Sequence, residues 1–416
     1  MRLHHIAASL LLALPIMAGC KSDDTLNSPN VLDPMFTRYA ALGNSITAGF
    51  QSAGINDSTQ RRAYPALLAA AMGTSFTYPS LNMPGCPPPL TNNVLLTRVG
   101  AGTASTCALK PIQFELLNNL AVPGNQVITL LNNFSGSPSQ FDPLKTIMLG
   151  GRTEVELMMQ LKPTFVTVWA GSNDVLGALI DATNPGDPSQ VTPAALFVAQ
   201  YDSLVDSLRA TGANVVLIGV PDVTAIPFAS LGAIWYCLKN GGCPAPLPPQ
   251  DPTLAAIPTF SVAATCAPPG GVQTLVPWTK SVPKLGAALQ GVPSTIDCSV
   301  DNETILPAEL QGMAQAVAAY NQHIQQVAQT EGWGFFDIDA ALKNLVGTAV
   351  PQFPDLTQVP TGGSVGFGPL FSLDGIHPSS VAQRVFADSI AAITNAKYGT
   401  SLPVPVCSGT IACPAP

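Results

Sequence analysis

A serine in a glycine-flanked turn and a histidine three residues after an aspartate are where this 416-residue chain could carry covalent chemistry. Ser45 stands in Gly43-Asn44-Ser45-Ile46, behind the apolar run Tyr39-Ala40-Ala41-Leu42, which has the character of a buried strand. A hydroxyl is a weak nucleophile until a neighbouring base takes its proton, and histidine is the usual base near neutrality. Of the four histidines, His4 and His5 lie in an N-terminal leader, which leaves His323 and His377. His323 falls between the apolar positions of a helical stripe, a phase that predicts a solvent-facing side chain. His377 lies in Leu373-Asp374-Gly375-Ile376-His377-Pro378, where Asp374 is close enough to fix the imidazole tautomer and stabilise the imidazolium. The same residues also fit a helix cap with Pro378 at the first helical position. Capping and catalysis are compatible.

Acyl transfer also needs hydrogen-bond donors where negative charge develops on the carbonyl oxygen. Loss of one such donor typically slows the reaction about 10²–10³-fold. Asn173, in Gly171-Ser172-Asn173-Asp174, could present a side-chain amide. Gly124, which closes Asn119-Leu120-Ala121-Val122-Pro123-Gly124, could present a backbone N–H with no side chain in the way. Taken singly, each also reads as turn chemistry: an Asx-type turn at Asn173 and an ordinary turn glycine at Gly124.

These residues can meet only if the elements between them deliver their ends to one rim. Tyr64 to Met72 predicts a helix with Pro65 in its first turn. Thr77 to Thr106, rich in Pro and Gly, predicts a long loop, and Phe114 to Leu120 suits either a helix or a strand. Glu154 to Leu161 predicts a helix, and Thr164 to Ala170 a buried parallel strand. Phe197, Tyr201, Leu204, Val205 and Leu208 fall on one helical stripe. Asn214 to Val220 predicts a strand, Leu310 to Val327 a second striped helix, Gly334 to Ile338 a strand and Ser379 to Lys397 a last helix. Strands alternating with helices imply an α/β fold whose central parallel sheet is covered on both faces. Such sheets bind ligands at the carboxyl ends of their strands. Between Val220 and Pro307, about eighty residues intervene where a few would suffice. Their cysteines and prolines predict a disulfide-stapled insertion at 226–306, either a cap beside the site or a decoration remote from it.

The N-terminus points to export. Arg2, His4 and His5 form a polar head, Ile6 to Ala18 is almost wholly apolar, and small residues precede Cys20. This pattern is a signal peptide, too short for a stable membrane span. Ala18-Gly19-Cys20 resembles the bacterial lipoprotein signal, which implies removal of residues 1–19 and acylation of Cys20. Residues 20–35 would then tether the protein to a bacterial membrane, at the outer membrane or cell surface. An ordinary secretory cut nearby is the alternative.

Of nine cysteines, eight remain beyond Cys20: Cys86, Cys107, Cys237, Cys243, Cys266, Cys298, Cys407 and Cys413. An even set in an exported chain favours disulfides, among about 105 possible pairings. Loop closure costs least for sequence neighbours, which predicts 86 with 107, 237 with 243, 266 with 298 and 407 with 413. With no CxxC pair and two histidines beyond the leader, metal ligation has little support. Charged residues make up only 10% of the chain, the net charge is −8 and no basic run occurs, which argues against nucleic-acid binding. Forty prolines and 35 glycines beside 47% hydrophobic residues predict long ordered loops rather than disorder.

In order along the chain, Gly43-Asn44-Ser45-Ile46, Asn119 to Gly124, Gly171-Ser172-Asn173-Asp174 and Asp374-Gly375-Ile376-His377-Pro378 resemble the four blocks of SGNH (GDSL-type) hydrolases. Thr164 to Leu176 and Asn214 to Pro227 are similar to a bacterial lipoprotein branch of that family. The resemblance implies a flavodoxin-like three-layer α/β/α sandwich over 36–400, followed by a Cys-containing tail at 401–416. It implies a serine esterase or lipase that acts on acyl esters without metal or other cofactor. Ser45 would be the nucleophile, His377 the base and then the acid, and Asp374 its orienting partner. The oxyanion hole would combine the backbone N–H groups of Ser45 and Gly124 with the amide of Asn173. Asn44 and Ile46 replace the aspartate and leucine of the GDSL motif, and neither change removes a catalytic atom. Asn82-Met83-Pro84-Gly85 is a second candidate for the glycine block, but it lacks the alanine and the fuller spacing of 119–124. Two further readings keep the scaffold: a carbohydrate acetyl esterase with a different pocket, and a non-catalytic surface-binding lipoprotein.

Overall fold

The computed structural model describes residues 31–100, 107–110, 116–133 and 143–406, so Cys20, Cys407 and Cys413 lie outside the described residues. Four apolar runs form one parallel sheet in the spatial order β1 (Tyr39–Gly43), β2 (Phe165–Trp169), β3 (Asn214–Ile218) and β4 (Gly334–Phe336). Every residue of β1 and β2 is buried, as expected of strands covered on both faces. Their register runs from Tyr39 opposite Phe165 to Gly43 opposite Trp169.

On the far side of β1, residues 118–120 add a parallel bridge. Ala41 N donates to Asn118 O at 2.8 Å, and Leu120 N donates to Ala41 O at 2.9 Å. The ambiguous stretch ending at Leu120 is therefore extended at 118–120, while residues 111–115 lie outside the described residues. Counting this segment as a strand, the spatial order is second, first, third, fourth, fifth in chain sequence, which is the flavodoxin-like order.

The helices α1 (Ser45–Ala48), α2 (Tyr64–Met72), α3 (Glu154–Leu161), α4 (Asn173–Ile180), α5 (Ala194–Thr211), α6 (Pro307–Glu331) and α7 (Ser380–Tyr398) supply the outer layers. The two-residue period of the strands divides their side chains between two cores. Tyr39, Ala41, Phe165, Trp169, Val216 and Ile218 pack with Leu68 of α2 and Ile390 of α7. Ala40, Leu42, Val166, Val168, Val215 and Leu217 pack with Leu157 of α3, Val175 of α4, Leu204 of α5 and Tyr320 of α6. The result is a three-layer α/β/α sandwich.

Some boundaries differ from expectation for local reasons. The stripe of α6 extends outward to Pro307 and Glu331, bracketed by proline at the first position and a left-handed Gly332. β4 stops at Phe336 because Asp337 caps a new helix at Ile338–Lys343, its carboxylate accepting from Ala340 N at 2.9 Å. The expected loop at 77–106 contains a small antiparallel ladder, Leu90–Asn92 with Thr97–Arg98.

The segment between β3 and α6 is a folded module. It surrounds its own small core, which includes Trp235, Phe260, Val276 and Leu285. It holds an antiparallel pair (Ala229–Leu231 with Leu275–Pro277), a parallel pair (Phe260–Val262 with Ser294–Ile296) and the helices Gly232–Asn240 and Trp278–Leu289. Disulfides Cys237–Cys243 and Cys266–Cys298 staple the module, and Cys86–Cys107 closes the loop after α2. All three join cysteines that are consecutive in the sequence, in the expected pairing. The expected pair Cys407–Cys413 lies outside the described residues.

Candidate active site

β1 is the point where the topology reverses, with 118–120 on one side and β2 on the other. The crevice beyond the strand ends at such a point is where these sheets take ligands. Gly43 ends β1 with φ +152°, and a Cβ there would lie 2.5 Å from the Trp169 carbonyl oxygen, so glycine is what lets the turn pass. Asn44 then caps α1 by accepting from Ile46 N at 3.1 Å. The aspartate of the GDSL motif would fill that role equally well. The cap sets Ser45 at the first position of α1, with the residue only 6% exposed.

His377, at the other end of the chain, closes on this turn. Its Nε2 lies 2.9 Å from Ser45 Oγ, and its Nδ1 lies 2.8 Å from Asp374 Oδ2. A neutral ring donating from Nδ1 to the carboxylate leaves Nε2 free to accept from the hydroxyl. Asp374 is itself held firmly. Its Oδ1 accepts from Ile376 N at 2.9 Å and His377 N at 2.8 Å, and its Oδ2 accepts from Ala53 N at 2.6 Å. Burial pushes this carboxyl up, but the imidazole and the N–H donors outweigh it and bring it down to about 2. The Phe50 ring packs against His377 with centroids 4.7 Å apart.

Two sequence expectations need correction here. The cap of α7 is Ser379, whose hydroxyl accepts from Ala382 N at 3.3 Å, so Pro378 stands before the helix rather than in its first turn. His323 does not face solvent freely. α5 covers its flank, placing its Nε2 2.9 Å from Asp202 Oδ1 and its ring edge-on to Tyr201.

The two remaining donors sit on neighbouring loops. Asn173 opens α4, and its Nδ2 spends one hydrogen on Asn125 O at 2.9 Å, which leaves its second N–H available. Gly124 has φ +88°, and a Cβ built on it meets nothing within 4 Å, so it borders open space. Gly85 is the opposite case. A Cβ there would lie 2.4 Å from Ile55 O, and the position is closed off by backbone.

Two buried carboxyl groups tie these loops together, one of them also to the nucleophile turn, and sequence reasoning missed both. Glu154, fully buried at the start of α3, accepts from Gly43 N at 2.8 Å and from Asn125 Nδ2. Burial raises its carboxyl to about 8 despite the opposing pull of those donors. Asp174, equally buried, accepts from Val127 N and the Thr192 hydroxyl, both at 3.0 Å, and burial raises it to about 6. For Glu154 a signal existed. Thr153 and Glu156 form the capping box of α3, which leaves Glu154 as a charge with no local task.

Trp278 of the insertion left no such trace. Its indole N–H donates to Asp374 O at 3.2 Å, so the module abuts the Asp374–His377 loop and is not remote from it. Among the described residues, no group of three or more His, Cys, Asp or Glu side chains is placed to hold a metal ion.

The sequence matches the family model described as GDSL-like Lipase/Acylhydrolase over residues 39–390. No curated protein matches it. Among solved structures it is similar to a mutant of Axe2, an acetyl-xylooligosaccharide esterase from Geobacillus Stearmophilus, at 14% identity over 86% of this chain and 93% of that one, with a TM-score of 0.36. It is also similar to TesA, at 13% identity over 86% and 98% of the two chains, with a TM-score of 0.35. A third is LAE5, an alpha/beta hydrolase enzyme from the metagenome of Lake Arreo, Spain, at 14% identity over 87% and 98%, with a TM-score of 0.38.

Proposed function

Because the chain belongs to the GDSL-like lipase/acylhydrolase family, we propose that it hydrolyses carboxylic esters by acyl transfer through Ser45. The observation that carries this reading is the continuous relay from Ser45 Oγ through His377 to Asp374, with contacts of 2.9 and 2.8 Å. His377 takes the hydroxyl proton as Ser45 attacks the ester carbonyl, and Asp374 stabilises the imidazolium that forms. The N–H groups of Ser45 and Gly124 and the free N–H of the Asn173 amide receive the oxyanion. The imidazolium then protonates the departing alcohol. Water, deprotonated by the same imidazole, releases the acid from the acyl-enzyme.

Ser45→Ala and His377→Ala should each lower kcat for p-nitrophenyl esters by at least about 10⁴-fold, since members of such a unit fail together. His323→Ala should stay within about twofold, because nothing joins it to the relay. An equal loss from His323→Ala would overturn the assignment of the base.

The same reading makes the protein a bacterial lipoprotein held at the outer membrane or cell surface through Cys20, on the support of its N-terminal signal. Wild-type protein should incorporate labelled palmitate and sediment with membranes, and Cys20→Ala should do neither. Unlabelled wild-type protein would remove the anchor.

A further inference from the structure

Gln51 to Gly54 fold back in a two-residue reverse turn, with Gln51 N donating to Gly54 O at 2.8 Å and Gly54 N to Gln51 O at 3.1 Å. Its central residues, Ser52 and Ala53, have φ +53° and +51°. Turns of this kind favour Asn-Gly, because the left-handed region is disfavoured for a residue that carries a Cβ. Backbone kept in such a conformation points to work that the conformation does. Here the turn grips the loop of Asp374. Ala53 N donates to Asp374 Oδ2 at 2.6 Å, and Ser52 N donates to Ser372 Oγ at 2.8 Å. Ser372 Oγ donates in turn to Asp374 Oδ1 at 3.2 Å, and Leu373 N donates to Ser52 Oγ at 3.2 Å.

The turn is itself held by the hairpin of Leu90–Asn92 with Thr97–Arg98. Arg98 Nη1 donates to Ala53 O at 2.9 Å and to Pro88 O at 2.6 Å, and Leu90 N donates to Ser52 O at 2.7 Å. Asn93, buried at the hairpin's tip, donates from Nδ2 to Leu373 O at 2.7 Å and to Val365 O at 2.9 Å. The turn and the acid's loop are thus fastened to one support, and the Cys86–Cys107 bridge closes the segment that carries it.

We propose that Arg98 is a positioning residue for the catalytic acid: through the Ser52–Ala53 turn it keeps the Asp374 carboxylate on His377 Nδ1. The inference rests on the reading of Ser45, His377 and Asp374 as one relay. Misplacement of a catalytic group by an ångström can cost about 10²-fold in rate. Asp374 keeps the N–H groups of Ile376 and His377 without Arg98, so the loss is smaller.

In folded Arg98→Met, kcat for p-nitrophenyl acetate should fall about tenfold with KM within about twofold. Arg98→Lys should recover to within about threefold, because an ammonium can donate to both carbonyls. The losses from Arg98→Met and Asp374→Asn should not multiply, since one acts through the other. An unchanged kcat in Arg98→Met, losses that multiply, or a lysine variant no better than methionine would overturn the proposal. If Arg98→Met does not fold, Ser372→Ala tests the same grip from the other side of the turn. It should lower kcat about fivefold at unchanged KM, and an unchanged kcat there would count equally against the proposal.

A readout without turnover separates this inference from the enzyme reading. The low-field proton resonance of His377 Nδ1–H should broaden or shift upfield in Arg98→Met. That change in a protein without Ser45-dependent hydrolysis would keep the positioning role and remove the esterase. Ser45-dependent hydrolysis with both the resonance and kcat unmoved by Arg98→Met would do the reverse.

Discussion

At Asp374 two carboxylate oxygens divide their work. One organises the turn through the N–H groups of Ile376 and His377, and the other holds His377 Nδ1 and Ala53 N. An amide cannot replace both functions, because its nitrogen donates where the imidazole also donates. Asp374→Asn should therefore lower kcat by about 10³–10⁴-fold and leave KM nearly unchanged. The depressed carboxyl also has a stability signature. Its value in the fold, about 2, lies below the ordinary 3.8, so its contribution is fully present above that ordinary value and is lost as pH falls through about 2. The contribution amounts to roughly 2 kcal/mol. Urea unfolding at pH 6 and pH 2.5 should show the gap between wild type and Asp374→Asn narrowing on acidification. A constant gap would mean that the carboxylate is not stabilised in the fold.

Among the elements, α3 does more than cover the sheet. Its first turn carries Glu154 beneath two loops, so the nucleophile turn and the Gly124–Asn125 loop share one acceptor. Glu154→Leu strands the Gly43 N–H and the Asn125 amide in a dry interior. We expect a loss of about 2–4 kcal/mol in stability and a fall in kcat of at least about tenfold. Glu154→Gln, like the protonated carboxyl, must donate where the carboxylate accepts; a turned-over Asn125 amide takes that N–H on its otherwise unpartnered Oδ1, so this variant should keep most of the activity at pH 7. With its carboxyl raised to about 8, the folded state holds a proton that the unfolded chain has released. Wild-type stability should therefore decline as pH rises from about 4.5 to 8 and level off above. Glu154→Gln should flatten that decline, and denaturation across this range is the check. An identical slope in both proteins would show that Glu154 does not titrate there.

The elements differ in how much of them sequence could reveal. α2 is bounded by Pro65 and Gly73, local signals that sequence carries openly. β4 ends two residues short of the strand that the sequence predicts, because the capping role of Asp337 looks like more strand until the helix behind it is seen.

For the whole molecule, the decisive feature is the reversal at β1. It sets the ends of three adjacent strand segments side by side, so Ser45, Gly124 and Asn173 emerge from neighbouring positions. The insertion flanks the site from outside, with Trp278 on the Asp374 backbone and Lys280 Nζ on Ala182 O at 2.8 Å. Its Cys266–Cys298 bridge spans 32 residues and removes about 3–4 kcal/mol of chain entropy from the unfolded state. That helps a small core to hold its shape.

Sequence alone determined what depends on neighbours along the chain or on scarcity. It singled out Ser45 and His377, because few histidines compete and each motif is local. It also marked the strands buried on both faces and the three disulfides observed, because loop closure favours near partners. Tertiary structure alone decided which strands lie side by side, how the insertion folds, and that Glu154 joins Gly43 to Asn125. The Glu154–Gly43 bond crosses 111 positions. A contact of that span imposes no periodicity and no spacing on the residues between, so it leaves no mark until the chain is folded.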